Sequence, residues 1–131
     1  MRNIFISGHL DLTDEEFAEH YVPRLQAAFH QGSNDLNRAV FHVGDARGAD
    51  AMSQEFLHGL GALVVVYHML ATPRNLHGRP YDVVGGFTSD KDRDEAMTKA
   101  TTEDIAWVRP GREKSGTARN LARRGKVSRA R

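Results

Sequence analysis

No cysteine occurs among the 131 residues of the chain. That excludes a disulfide framework, a thiolate zinc site and a cysteine nucleophile, and it agrees with a reducing, cytoplasmic setting. Long apolar runs are missing too. No stretch reaches the roughly 18 residues a membrane span needs, so no membrane partner is expected. The opening segment, Met1 to Gly8, has too few apolar residues for a signal peptide and reads as a first strand. Charge of one sign is not in excess: 18 Lys and Arg stand against 17 Asp and Glu. Nucleic acid is therefore not the expected partner of the whole chain. The seven histidines are scattered, and no two have the helical spacing of a zinc motif. Neither a metal nor another cofactor is expected.

The charge that is present is unevenly placed. Asp14, Glu15, Glu16 and Glu19 make an early segment acidic, whereas Arg119, Arg123, Arg124, Lys126, Arg129 and Arg131 make the end basic. Residues 126–131 read as a solvated basic tail behind one domain of residues 1–125. A chain of this length can bury one core, and nothing in it resembles a repeat or a linker.

Apolar periodicity alternates between strand and helix type. Ile4-Phe5-Ile6, Val40-Phe41-His42-Val43, Leu63 to Tyr67 and Ile105-Ala106-Trp107-Val108 read as buried strands. Thr13 and Glu16 form a capping-box pair at the start of a helix striped by Phe17, Tyr21, Leu25 and Phe29. Pro23 should kink or divide that helix, and Gly32 should stop it. Further helices are expected after Gly48, from Asp90 to Thr102, and from Ser115 to a stop at Gly125. The stretch from about Ala71 to Ser89 reads as irregular because of Pro73, Pro80 and Gly85-Gly86, and Leu70 to Ser89 is expected to close over a site as a lid. The order is βαβαβ, a long loop, then αβα. It predicts a single Rossmann-like α/β domain of three layers, a mainly parallel sheet with helices on both faces.

In such a sheet, ligands collect beyond the carboxyl ends of the strands. Three loops fall there. Ser7-Gly8-His9 follows the first strand. Gly44-Asp45-Ala46-Arg47-Gly48-Ala49-Asp50 follows the second and opens a helix, so its backbone amides and Arg47 are expected to hold a phosphate. Asp45 and Asp50 read either as acceptors for ribose hydroxyls or, for Asp50, as a helix cap. Ser115-Gly116-Thr117 opens the last helix among Arg112, Lys114 and Arg119, a second expected anion site. Neither loop has the Gly-x4-Gly-Lys-Ser/Thr or the Gly-x-Gly-x-x-Gly pattern.

The second loop resembles the Gly-Gly-Ala-Arg-Gly-Ala-Asp loop of small Rossmann-like proteins of the SLOG superfamily, the YspA and DUF2493 type. Arg93-Asp94-Glu95-Ala96-Met97 is similar to their Arg-Asn-x-x-Met segment, and Ser115-Gly116-Thr117-Ala118-Arg119-Asn120 to their closing Gly-Thr motif. The resemblance runs from Ile4 to Arg124. It implies a nucleotide or nucleotide-derived phosphate ligand held across the strand ends, with Arg93 bracing the crevice and Asn120 contacting ribose or base. The chain would then be a sensor or sequestering protein.

One departure bears on catalysis. The phosphoribohydrolase branch of the superfamily reads Gly-Thr-x-x-Glu, and its glutamate works at the anomeric carbon of the sugar. Asn120 stands at that position here, and an amide can neither act as the nucleophile nor stabilise an oxocarbenium ion by charge. An N-glycosidase acting on a nucleoside 5′-monophosphate is therefore the alternative reading, with Asp45, Glu113 or Asp90 as the candidate carboxylates. A nucleic-acid-binding module like the related DNA-processing protein DprA is a further alternative, resting on the basic tail. Whether the chain forms a homo-oligomer stays open.

Overall fold

A computed structural model describes residues 1–32 and 38–130, the last five as backbone only. The side chains of Lys126 and Arg129, and Arg131 itself, which carry the expected basic tail, therefore lie outside the described residues. The elements are β1 (Arg2–Ile6), α1 (Asp14–His20), α2 (Val22–Gln31), β2 (Ala39–Gly44), α3 (Ala49–Leu60), β3 (Leu63–Met69), β4 (Asp82–Phe87), α4 (Asp90–Ala100), β5 (Glu103–Ile105) and α5 (Gly116–Ala130). The five strands form one sheet in the order β4-β3-β2-β1-β5, and every neighbouring pair is parallel.

Alternation along β1 builds both layers, because successive side chains point to opposite faces. Ile4 and Ile6 join Phe41, Val43, Val64 and Val66 under Phe17, Tyr21, Leu25 and Leu57 of the helices on one face. Phe5 joins Val40, Val65 and Tyr67 under Met97 of α4 on the other. Covered on both faces, β2 is buried from end to end, as a central parallel strand must be. The expected α/β domain with helices on both faces is what folds. No helix among the described residues is long and apolar enough to cross a membrane.

Local signals work as physical chemistry requires. The Thr13 hydroxyl takes the Glu16 amide at 3.1 Å while Glu16 takes the Thr13 amide at 3.0 Å. Pro23 divides the first helical segment and sits in the first turn of α2, where its missing N–H costs nothing. Gly32 ends α2.

Three expectations are corrected. The stretch from Ala71 to Ser89 contains a fifth strand, β4, which its two glycines disguised. Gly85 lies against His68, where a Cβ would come within 2.1 Å of the ring. Gly86 has φ 91°, and the pairing with β3 is irregular between Tyr67 and Met69. An edge strand tolerates such a bulge. Secondly, the last strand is shorter and earlier than Ile105–Val108. It ends at Ile105, because the Tyr21 hydroxyl takes the Trp107 amide at 3.1 Å and the indole stacks on His20 at 3.9 Å. Thirdly, α5 passes through Gly125 and runs to Ala130.

Candidate functional site

β1 connects to β2 on one side, and the chain returns from β4 to β5 on the other. The order of strands therefore reverses between β1 and β5, the point where an open sheet leaves a crevice. A crevice of about 570 Å³ opens there, within the size range of small-molecule sites. Ser7, Gly8 and His9 line it from the loop after β1, and Gly44 and Asp50 from the end of β2 and the start of α3. Arg93 comes from α4, and Ser115, Gly116, Thr117 and Asn120 from the start of α5. Phe5, Leu10, Ala46, Asp90, Lys91, Asp94, Met97, Arg112, Arg119 and Arg123 complete the wall.

Three contacts hold the loops of β1 and β5 together. His9 Nε2 accepts the Arg109 amide at 2.9 Å. The Arg109 guanidinium pairs with Glu16 at 2.6 Å and with Asp11 at 3.1 Å. The Tyr21 hydroxyl donates to Ser7 O at 2.7 Å and accepts from Trp107 N–H. Because Nε2 accepts, the proton of the neutral imidazole sits on Nδ1, which has no partner among the described residues. Burial, then the charges of Arg112 and Arg109, hold the His9 pKa below its ordinary value. Ion pairing with Arg109 pulls Glu16 down to about 2.

The two expected phosphate loops are not equivalent. At the start of α3, the Ala49 amide is taken by His9 O at 3.1 Å. Gly48, at φ 74°, lies so close under the chain that a Cβ there would fall 2.4 Å from both His9 O and Leu10 O. The loop after β1 thus plugs this helix N-terminus. Gly48 and Ala49 do not line the crevice; they are the seat of its neighbour. Arg47 is exposed outside the crevice. Asp50 is no helix cap either: its carboxylate accepts the Ala46 amide at 3.1 Å.

At the start of α5 the amides stay open. Ser115 Oγ takes the Ala118 amide at 3.2 Å, and Ser115 O takes that of Arg119. Gly116 and Thr117 donate to nothing among the described residues, and neither do Gly8 and His9 across the crevice. The hydroxyls of Ser7 and Thr117, residues 7% and 5% exposed, are likewise without partners there. Amides, hydroxyls and an imidazole N–H from both sides of the switch point therefore line one cleft.

The carboxylates divide sharply. Asp45, an expected catalytic candidate, is fully buried and held by Arg74 through the backbone amide at 2.7 Å and Nη2 at 2.8 Å. Burial raises its pKa, but the Arg74 bonds and the Arg93 charge outweigh that and keep it below the ordinary value. It works as an anchor: with Gln54, which bonds Asn75 O and the His77 amide, it pins residues 70–81 across the ends of β2 and α3. The expected lid is thus tied down, and none of Leu70 to Ser89 lines the crevice. Glu113, the other candidate, is exposed, bonds the Gly111 amide at 2.9 Å and lies outside the crevice. Asp90 reaches the rim, paired with Arg93 at 3.4 Å.

Asp50 is different. It lines the crevice, is 8% exposed, and its second oxygen has no partner among the described residues. Burial pushes its pKa up to about 7, against the pull of Arg93 and the Ala46 amide. Arg93 braces the floor as expected, with Asp45 at 3.4 Å and Asp94 at 3.2 Å. Asn120 is buried, and its Oδ1 accepts from Arg123 at 2.6 Å. Sequence reasoning missed Asp94, Lys91 and Arg123 as parts of this wall; of the three, only Arg123, three positions after Asn120 on α5, is marked by helix spacing. Comparison of the chain with protein-family models, with curated proteins and with solved structures finds no match.

Proposed function

We propose that the chain binds a nucleotide or nucleotide-derived phosphate at the β1/β5 switch point, as a sensor or sequestering protein of the SLOG type. One observation carries the reading: the unpartnered amides of Gly8, His9, Gly116 and Thr117 line the same crevice as the hydroxyls of Ser7 and Thr117. Such a set of donors at a helix N-terminus favours a phosphate. Arg112 and Arg119 add positive charge to the wall, while Asp50, Asp90 and Asp94 keep the crevice mixed in sign. That mixture suits a ligand with one anionic end better than a nucleic-acid backbone.

Calorimetry with inorganic phosphate and a panel of nucleoside monophosphates and cyclic nucleotides tests the reading. Thr117→Val should weaken binding by about 1 kcal/mol, the worth of one neutral hydrogen bond. No heat from any member of the panel would reject it.

A second reading, N-glycosidic cleavage of a nucleoside 5′-monophosphate, is favoured by Asp50, a carboxyl in the crevice that titrates near neutrality. Chromatography of a nucleotide mixture incubated with the protein separates the two. Released free base would favour the enzyme, and intact nucleotide the binder.

A further inference from the structure

The two edges of the sheet are finished differently. β5 is three residues long, and the Arg24 guanidinium covers its outer side, donating to Asp104 O at 3.3 Å and to Ala106 O at 2.9 Å. A side chain that takes the carbonyls of an edge strand blocks further pairing. β4, at the opposite edge, is six residues long. Its Gly86 amide turns inward to Leu70 O at 2.9 Å. The Val83 amide, at an exposed position, is taken instead by the Asp82 carboxylate at 2.8 Å. Because backbone groups alternate in direction along a strand, the N–H and C=O of Val83 and Gly85 face away from β3. Apart from the Asp82 carboxylate, no side chain among the described residues bonds them.

Exposed apolar side chains gather at the same edge. Leu70, Leu76, Tyr81 and Val83 lie in β4 or in the segment leading to it; elsewhere among the described residues only Met1, Leu10 and Leu121 are large, apolar and exposed. Tyr81 and Val83 share one face of the strand. Gly85 continues that face, with the His68 ring against it. From Tyr81 to Ser89 the sole charge is Asp82. Opposite charges bracket this stretch: Arg79, exposed, before it, and Asp90 and Asp92 in the first turn of α4 after it. Lys91 between them is paired with Glu95 at 3.8 Å.

That bracketing selects the partner. Antiparallel pairing of two β4 strands about Val84 sets Val83 of each against Gly85 of the other, a pair that exchanges both backbone bonds. Asp82 then faces Gly86, so no carboxylate stands opposite another. Arg79 of one copy comes opposite Ser89 of the other, beside Asp90, and a twofold axis makes the contact twice. A second copy of the chain carries this complementary order by construction. We infer that β4 is a self-association edge: two copies pair antiparallel through Val83 and Gly85, joining their five-stranded sheets at the edge opposite the β1/β5 crevice.

Sedimentation velocity on the full chain across the micromolar range tests the inference. The wild type should pass from the mass of one chain to the mass of two as concentration rises. Val83→Pro removes an outward N–H that β3 does not use, which an edge strand tolerates, and should stay at the mass of one chain. Arg79→Glu turns two surface ion pairs repulsive and should raise the dissociation constant at least about tenfold. Should Val83→Pro not fold, hydrogen exchange on the wild type decides: the Gly85 amide should slow as the copies associate. A wild type that keeps the mass of one chain at every concentration overturns the inference. So does a dimer that a folded Val83→Pro or Arg79→Glu leaves as tight, or one whose Gly85 amide exchanges no slower than in the single chain.

Discussion

His9 Nε2 accepts the backbone N–H of Arg109 at 2.9 Å, which fastens the loop after β1 to the loop after β5 across the crevice. The bond exists only while Nε2 is unprotonated. The folded His9 pKa lies below its ordinary value, so between the two values the unfolded chain binds more protons. Its contribution is present above the unfolded value of about 6.5 and is lost as pH falls through the folded one. Taken alone, this bond lowers the urea midpoint as pH falls from 7 to 5, while the raised Asp50 acts in the opposite direction over the same window. His42, also lowered by burial, adds a slope of the same sign as His9, so the informative quantity is the difference from His9→Gln. That variant keeps an acceptor that does not titrate. Its midpoint should depend less on pH, and an equal slope would contradict the role given to His9.

Asp50 predicts the opposite slope. Its pKa is raised from 3.8 to about 7 in the folded protein, so its contribution is present below the unfolded value and disappears as pH rises toward 7. Asp50→Asn keeps an oxygen for the Ala46 amide and removes the buried charge. Denaturation should show the variant more stable by roughly 2–4 kcal/mol at pH 8, with no gain at pH 4. A variant less stable than the wild type at pH 8 would contradict the account.

The Asp45 carboxylate binds both Arg74 and Arg93. Asp45→Ala should destabilise by about 3 kcal/mol, since it takes one of three carboxylate partners from the buried Arg93 guanidinium and frees Arg74. It should also speed proteolysis within residues 70–81. Slow cleavage with unchanged stability would show that the anchor lies elsewhere.

Arg47, the residue that the loop composition marks first, is exposed outside the crevice. Arg47→Ala should leave nucleotide affinity within about twofold by calorimetry, below the 1.5–3 kcal/mol of a charged hydrogen bond. A loss of that size would return the phosphate to the start of α3.

Layer order and most elements were legible because they depend on local pattern: apolar alternation in β1 and β3, the Thr13/Glu16 box, and the stop at Gly32. β4 was not, since Gly85 answers to His68, a residue 17 positions away in a strand that only the fold brings alongside. The same holds for the site. Two loops, after β2 and after β5, read alike in sequence as glycine-rich helix starts. What separates them is the carbonyls of His9 and Leu10, which fill the first and leave the second open. Tertiary contact decided between equivalent local signals, and it also turned Asp45 from a candidate catalyst into an anchor.

The central claim, that the anion sits between Gly8–His9 and Gly116–Thr117 and not at Arg47–Gly48, is tested most directly by amide chemical shifts. In a 1H–15N titration with inorganic phosphate, then AMP, the largest and saturable changes should fall on the amides of Gly8, His9, Gly116 and Thr117, while those of Arg47 and Gly48 stay nearly still. Changes centred on Arg47 and Gly48, or none at Gly116 and Thr117 under saturation, would contradict it.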